Sequence, residues 1–128
     1  MPEAVVPAII VLVRDLVFSS KIAAEARAAG VAAQVVRNPE ELHRFSQTAA
    51  KLLIVDVTLP GSIPASAHWG HAEPGRCVVA FVSHVDQSTI AEAKQAGIDK
   101  VLARGRFVKM LPQLVRGEAV PESSGTDG

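Results

Sequence analysis

The segment from residue 52 to residue 61 constrains the fold more than any other part of the chain. It reads Leu-Leu-Ile-Val-Asp-Val-Thr-Leu-Pro-Gly, so five of its first six residues are apolar and a Pro-Gly turn follows. A short unbroken apolar run of this kind predicts a strand buried on both faces, as the strands of parallel sheets are. Because open α/β sheets form their binding crevices at the carboxyl ends of the strands, Asp56 is the first candidate for a functional residue.

Four other apolar runs recur along the chain, and each has the length of a strand. Together with the first run they predict strands over residues 8–13, 31–36, 52–57, 77–83 and 100–103. Strands that alternate with helical segments indicate a parallel sheet covered on both faces.

Helical periodicity and capping residues fill the segments between the strands. We predict helices over 21–29 with Ser19 or Ser20 as N-cap, from Asn38-Pro39 onward, over 87–96 with Asp86 as N-cap, and from Phe107 to Val115 with a break or kink at Pro112. Residues 60–75 are rich in Pro and Gly and leave room for about two helical turns.

Right-handed crossovers between these elements predict an α/β fold of three layers. Its sheet is a doubly wound five-stranded parallel sheet of the flavodoxin-like order 2-1-3-4-5, which places the switch point between strands one and three. In that order Arg14 and Asp15, just past the first strand, face the same crevice as Asp56.

Length and composition limit the classes of function. The 128 residues fit one domain, which we expect over residues 1–116, with a disordered tail over 117–128. Thirteen basic and thirteen acidic residues cancel, so we expect neither a nucleic-acid surface nor a membrane surface. The longest apolar run is too short to span a bilayer and lacks the features of a secretion signal, which favours a cytoplasmic location.

Four other side chains invite functional readings that the sequence does not favour. His68 and His71 lie three residues apart but have no Cys or carboxylate partner at ligand spacing, so we expect no metal there. The single Cys77 lies in a predicted strand and reads as a buried thiol. Trp69, the only tryptophan, is expected to pack at the edge of the core.

Four features, in this order, resemble the receiver domain of bacterial response regulators. Asp15 stands just past strand one, Asp56 ends strand three before Leu-Pro-Gly, Ser83 ends strand four, and the run Ala-Lys-Gln-Ala-Gly-Ile-Asp-Lys-Val-Leu-Ala over residues 93–103 leads into strand five. The resemblance extends to about residue 115 and is carried by the order and spacing of the features, since each alone is weak.

The resemblance implies a chemistry for these positions. Receivers accept a phosphoryl group on the aspartate of strand three, here Asp56, with Mg²⁺ held by that aspartate, an acidic pair after strand one and a backbone carbonyl, here that of Thr58. A lysine after strand five contacts the phosphate, and a Ser or Thr at the end of strand four, here Ser83, responds to it. The metal neutralises charge as the phosphate arrives.

This chain departs from that pattern at two charged positions. The acidic pair reads Arg14-Asp15, and the lysine position holds Arg104, followed by Gly105 instead of the usual proline. At ~4 Å and an effective dielectric constant near 20, two unit charges interact by roughly 4 kcal/mol, and the effect doubles for a divalent ion. We therefore expect Mg²⁺ binding to be lost. One hypothesis pairs Arg14, Arg104 or both with Asp56; a second turns Arg14 to solvent; a third keeps Asp56 working with an altered metal requirement.

These residues predict a stand-alone receiver-like signalling module that is not an enzyme, needs no cofactor and acts by binding a protein partner. The resemblance places the partner on helix four, strand five and helix five, a face that also allows homodimerisation. The corresponding residues here are Ile90, Lys94, Arg104, Arg106 and Phe107. Two alternatives stay open: a phosphorelay regulator that accepts phosphate on Asp56 and uses Mg²⁺, and a small-ligand binder whose pocket is lined by Asp15, Asp56, Ser83 and Arg104.

Overall fold

A parallel five-stranded sheet organises the protein. The computed structural model describes residues 7–83 and 86–117. The strands are β1 (Ile9–Leu12), β2 (Ala33–Val36), β3 (Leu52–Asp56), β4 (Cys77–Val82) and β5 (Lys100–Ala103), and their order in the sheet is β2-β1-β3-β4-β5. Every neighbouring pair is parallel. The predicted fold class and strand order are therefore confirmed.

Five helices cover the two faces of the sheet. They are α1 (Leu16–Ala28), α2 (Pro39–His43), α3 (Ser62–Ala72), α4 (Gln87–Gln95) and α5 (Arg104–Val115). Alternate residues of each strand point to opposite faces, so Ile9 and Val11 pack with α1 and α5, whereas Ile10 and Leu12 pack with α2, α3 and α4. In the part of the chain that the structure describes, no helix is long and apolar enough to cross a membrane.

Helix α1 begins five residues before the predicted start, because its cap is Asp15 and not a serine. The Asp15 carboxylate accepts a hydrogen bond from the Phe18 backbone N–H at 3.0 Å. Ser19 is instead buried within the helix, where its hydroxyl donates to the Leu16 carbonyl at 3.2 Å. An aspartate that the resemblance reads as a metal ligand is thus an N-cap in the folded chain.

The helix within residues 60–75 is longer than the two turns that the sequence predicts, since α3 spans eleven residues there. Pro64 lies in its first turn, where a backbone N–H has no partner within the helix and the missing donor costs little. Gly70 fits because a Cβ at this position would lie 2.8 Å from Val78 Cγ2. The glycine therefore allows α3 to pack closely against β4.

The predicted break at Pro112 does not occur, and α5 continues through it to Val115. An internal proline costs a helix about 3 kcal/mol. Four buried side chains of this helix, Phe107, Leu111, Leu114 and Val115, each contribute roughly 1.5–3 kcal/mol on burial. Packing of the apolar face against the sheet outweighs the cost of the proline.

Trp69 and Arg76 form a buried pair beneath α3. Trp69 is 2% exposed, as predicted, and its indole N–H donates to the Phe45 carbonyl at 3.1 Å. The Arg76 guanidinium lies 4.2 Å from the centre of the Trp69 ring and donates to three backbone carbonyls, those of Trp69, Ser46 and Thr48, at 2.9, 2.9 and 3.0 Å. This arginine ties the loop before β3 to the end of α3.

The Cys77 thiol is half-buried at the start of β4. Burial raises the pKa of this thiol, and the negative charge of Asp99 raises it further. The thiol is therefore less buried than predicted, and its raised pKa keeps the sulfur protonated near neutral pH. The predictions for residues 118–128 lie outside the described residues.

Candidate functional site

Asp56 stands at the carboxyl edge of the sheet, at the end of its central strand. Leu12 of β1 pairs with Val55, and Asp56 itself pairs with Phe81 of β4. The carboxyl ends of β1 and β4 therefore flank the Asp56 carboxylate, which is half-buried. This is the crevice that the strand order predicts.

Thr58 donates two hydrogen bonds to the Asp56 carboxylate. One carboxylate oxygen, Oδ1, accepts from the Thr58 backbone N–H at 2.9 Å and from the Thr58 hydroxyl at 2.6 Å. An aspartate that bonds to the backbone two residues further along is typical of the turn that ends a strand. These two hydrogen bonds fix the orientation of the Asp56 carboxylate.

Arg14 is exposed at the end of β1 and does not pair with Asp56. In the described part of the chain, no ion pair links Arg14 to either Asp15 or Asp56. It lines an open groove of about 750 Å³ together with Arg37 and the turn over residues 59–61. Arg14 therefore faces solvent, as the second hypothesis predicts, and the structure does not contain the Arg14–Asp56 pair.

Arg104 also makes its contact elsewhere. Its guanidinium carbon lies 4.0 Å from the centre of the Phe18 ring, a cation–π geometry. Phe18 in turn contacts Phe81 at 5.1 Å and Phe107 at 5.9 Å between ring centres. The side chain at the lysine position of receivers is thus stacked on α1, and the second half of the pairing hypothesis is not met either.

Ser83 is exposed and lies one residue past the end of β4, the strand whose Phe81 pairs with Asp56. Its position agrees with the placement that the resemblance predicts. Its predicted role as the residue that responds to phosphate stays a prediction, as does the use of the Thr58 carbonyl as a metal ligand. His84 lies outside the described residues.

The predicted interaction face on α4, β5 and α5 must be corrected at Phe107. This side chain is 0% exposed and stacks on Phe81 at 4.8 Å between ring centres, so it belongs to the core. Lys94 is exposed, whereas Ile90 and Arg106 are half-buried. The resemblance to receivers assigned Phe107 to this face, whereas in the folded chain Phe107 lies on the apolar face of α5 that packs against the sheet.

A second groove, of about 320 Å³, opens between the β3–α3 turn and the start of α4. Asp86 lies on its rim and caps α4, accepting hydrogen bonds from the N–H and hydroxyl groups of Ser88 and Thr89. These bonds, led by the Ser88 hydroxyl, lower the pKa of the Asp86 carboxyl. Neither this groove nor the one beside Arg14 is lined by the four residues that the small-ligand hypothesis requires.

Three residues at this edge escaped the sequence-based reasoning. Arg37 lines the groove beside Arg14, and Leu16 and Val17 are exposed on the first turn of α1. The sequence did carry a signal for the last two, since the apolar pair Leu16-Val17 directly follows two charged residues. The prediction missed it because it started α1 too late. Within residues 7–83 and 86–117, no three side chains of His, Cys, Asp or Glu gather as a metal-binding group.

Comparison with solved structures identifies the fold. A CheY-like receiver domain from Methanospirillum hungatei matches with a TM-score of 0.72 at 12% identity, over 88% of this chain and 95% of that one. A Burkholderia pseudomallei response regulator with a phosphorylated aspartic acid, a calcium ion and citrate matches with a TM-score of 0.71 at 17% identity, over 87% and 69%. The beryllofluoride-activated NtrC4 receiver domain dimer matches with a TM-score of 0.69 at 14% identity, over 87% and 98%.

These similarities establish that the chain has the receiver fold. No family model matches its sequence, and no curated protein does. The fold is therefore shared with response regulators.

Proposed function

We propose that this protein is a signalling module of the receiver fold that acts by binding another protein, without Mg²⁺-dependent phosphorylation of Asp56. The observation that supports this most strongly is Arg14, an exposed cation at the end of β1 where receivers have a carboxylate. The proposal describes a binding module in the cytoplasm and not an enzyme.

The residues at this edge do not fit a magnesium ion. Mg²⁺ takes six oxygen ligands at about 2.0–2.1 Å, usually one or two carboxylates with waters. Asp15 is engaged as the cap of α1, and Oδ1 of Asp56 already accepts two hydrogen bonds from Thr58. Arg14 adds a positive charge to this donor set and repels a divalent cation.

Arg104, at the position of the lysine that contacts the phosphate in receivers, also has a different environment here. Arg104 stacks on Phe18, whose ring belongs to the core cluster beneath α1 and α5. This cation–π contact is worth about 0.5–2 kcal/mol. Arg104 therefore supports a fixed arrangement of the two helices more than it supports phosphoryl transfer.

A phosphorelay function is the second candidate. It is supported by the place of Asp56 at the end of the central strand and by the Burkholderia neighbour, which carries a phosphorylated aspartic acid. It requires Asp56 to accept phosphate with the donor set described above, or with a changed metal requirement. The NtrC4 neighbour is a dimer, and this supports a homodimer as the assembly in this second candidate.

Incubation with acetyl phosphate and Mg²⁺, followed by intact mass spectrometry, separates the two candidates. We expect no phosphorylated species above the level of Asp56→Asn, the matched control that keeps the size of the side chain and removes its charge. A mass gain of one phosphate in the natural sequence, lost in Asp56→Asn, would establish the phosphorelay function instead.

A further inference from the structure

A cavity of about 470 Å³ opens at the amino-terminal edge of the sheet, opposite the edge that carries Asp56. It lies where β1, β3 and β4 begin and α5 ends, so the first residues of these strands form part of its wall. Small-molecule sites in proteins have volumes of about 300–1,000 Å³. The cavity therefore has the size of a ligand site, and neither of the two grooves described above shares a lining residue with it.

The wall of this cavity is mainly apolar. Ile9, Leu52 and Cys77 are the first residues of their strands, and they pair in this order across the sheet. Leu114 and Val115 line the cavity from the end of α5, the helix that covers this face. Leu52 and Cys77 are only partly buried, so the apolar cluster remains accessible to water at this edge. A ligand that fills the cavity therefore gains most from an apolar body.

Three basic side chains, Lys51, Lys100 and Arg116, line the same cavity. Lys51 and Arg116 are exposed, whereas Lys100 is half-buried. Within the part of the chain that the structure describes, none of the residues that line the cavity is acidic. Basic groups at the rim of an apolar cavity complement a ligand that carries a negative charge at one end.

Cys77 contributes a neutral thiol to the wall. Burial raises the pKa of this thiol and the charge of Asp99 raises it further, whereas the charge of Lys100 lowers it. The Asp99 carboxylate accepts a hydrogen bond from the Val78 backbone N–H at 2.8 Å, which ties this acid to the backbone of β4. The protonated sulfur adds to the apolar surface and does not repel an anionic ligand.

The polarity of the wall selects between a peptide and an alkyl chain as the occupant. A peptide segment brings backbone N–H and C=O groups into the cavity, and side chains such as Ile9, Leu52 and Val115 offer them no hydrogen bonds. An alkyl chain has no such groups. It can be buried along its whole length while a terminal carboxylate stays in water beside Lys51 and Arg116.

We infer that this cavity binds a medium-chain fatty acid, with the alkyl chain against Ile9, Leu52 and Cys77 and the carboxylate beside Lys51 and Arg116. The inference goes beyond the proposed function and does not depend on it, because the cavity lies at the edge of the sheet that is remote from Asp56. It also differs from the small-ligand hypothesis of the sequence analysis, which places the ligand at Asp56.

Titration calorimetry with octanoate, decanoate and dodecanoate, each below its micelle concentration, tests the apolar part of the site. Each buried methylene strengthens binding about fourfold, so we expect Kd to fall roughly fifteenfold at each step of the series. Decyltrimethylammonium has the chain length of decanoate with a positive head group, and we expect it not to bind. Cys77 is the only cysteine in the sequence, so its alkylation by iodoacetamide at alkaline pH reports on the cavity alone. We expect dodecanoate to slow this alkylation at least tenfold.

Charge reversal at two exposed lysines supplies a matched pair of variants. Lys51→Glu changes the rim of the cavity, whereas Lys94→Glu changes α4, which does not line it. We expect Lys51→Glu to weaken dodecanoate binding about tenfold and Lys94→Glu to leave it unchanged. Ala8 is exposed and lines the cavity, so Ala8→Trp places an indole in its opening. We expect Ala8→Trp to abolish binding, with amide NMR showing that each variant is folded.

A membrane lipid offers the same chemistry, an alkyl chain with an anionic head group, and sedimentation with phosphatidylglycerol vesicles tests this source. We expect the protein to stay in the supernatant. Sedimentation with the vesicles and no binding of free dodecanoate would overturn the inference. So would an affinity that is independent of chain length, binding that leaves the alkylation of Cys77 unchanged, or equal effects of Lys51→Glu and Lys94→Glu. A Cys77 thiol that iodoacetamide does not alkylate even without ligand would show that the protein itself fills the cavity, and this too would overturn the inference.

Discussion

The guanidinium of Arg104 lies over the ring of Phe18, 4.0 Å from its centre, and this contact joins the start of α5 to the first turn of α1. Receivers place a lysine near this point to hold phosphate, whereas here the cation is held by an aromatic ring. The chain therefore keeps the receiver fold while its charged residues serve helix packing and leave the Asp56 carboxylate bonded to Thr58.

Restoring the receiver charges should restore metal binding. In the double variant Arg14→Asp with Arg104→Lys, the repelling cation becomes a carboxylate, and a flexible ammonium replaces the stacked guanidinium. We expect saturable Mg²⁺ binding and a phosphorylated species with acetyl phosphate. The matched control compares the single variant Arg14→Asp with the single variant Arg37→Asp. Arg37 lines the same groove as Arg14, and its substitution makes the same change of charge at a greater distance from Asp15 in the sequence. Equal Mg²⁺ affinity in the two would contradict the assigned role of Arg14.

Phe107→Ala should destabilise the protein by about 3–5 kcal/mol, because it removes a fully buried ring from the cluster with Phe18 and Phe81. Urea unfolding measures the change in the free energy of unfolding. The control is Lys109→Ala, an exposed residue of the same helix, with an expected change within about 0.5 kcal/mol. A small effect of Phe107→Ala would contradict the buried position of this side chain and would favour the surface position first predicted.

Arg76→Met should lower the free energy of unfolding by about 3 kcal/mol. Methionine fills most of the space over Trp69 but leaves the carbonyls of Ser46, Thr48 and Trp69 without their donors. The matched change Arg44→Met, at an exposed arginine, should have little effect in the same denaturation experiment. If both substitutions have the same effect, the buried guanidinium does not hold the loop before β3.

The cap of α4 predicts a pH dependence of stability. Hydrogen bonds from Ser88 and Thr89 lower the pKa of Asp86 below its ordinary value of 3.8. A lowered pKa in the folded state means that the charged carboxylate stabilises the fold above 3.8 and that this contribution is lost as the pH falls through the folded-state pKa. The natural sequence should therefore be more stable than Asp86→Asn near neutral pH, and thermal unfolding should show the difference shrinking in acid. A difference that is constant with pH would rule out the charge as the cause.

The apolar runs predicted the strands because the three central strands, β1, β3 and β4, are largely buried on both faces, and burial is the strongest signal in a parallel sheet. The first and last residues of the helices were harder to predict. Asp15 serves as a cap, and a cap has the same residue type as a metal ligand, so the sequence alone did not distinguish them. Local propensity alone predicts a break at Pro112 and a short helix in the Pro/Gly-rich segment before β4. Packing against the sheet instead decides the conformation of both segments, which are helical.

The candidate site was predicted in position and not in its contacts. Asp56 stands where the strand pattern places it, because the carboxyl edge of the sheet follows from strand order. The partners of Arg14 and Arg104 depend on side-chain directions that no spacing rule provides. Phe18, which holds Arg104, was hidden by the late predicted start of α1.

Titration of the natural protein with Mg²⁺ and beryllofluoride, followed by amide NMR, tests the central claim most directly. Beryllofluoride with Mg²⁺ mimics the phosphorylated aspartate, so an intact site shifts the amides that surround Asp56. We predict no saturable shift at Thr58 or Ser83, with Arg14 still exposed and Arg104 still on Phe18. Saturable shifts at these two amides at sub-millimolar Mg²⁺, absent in Asp56→Asn, would contradict the account.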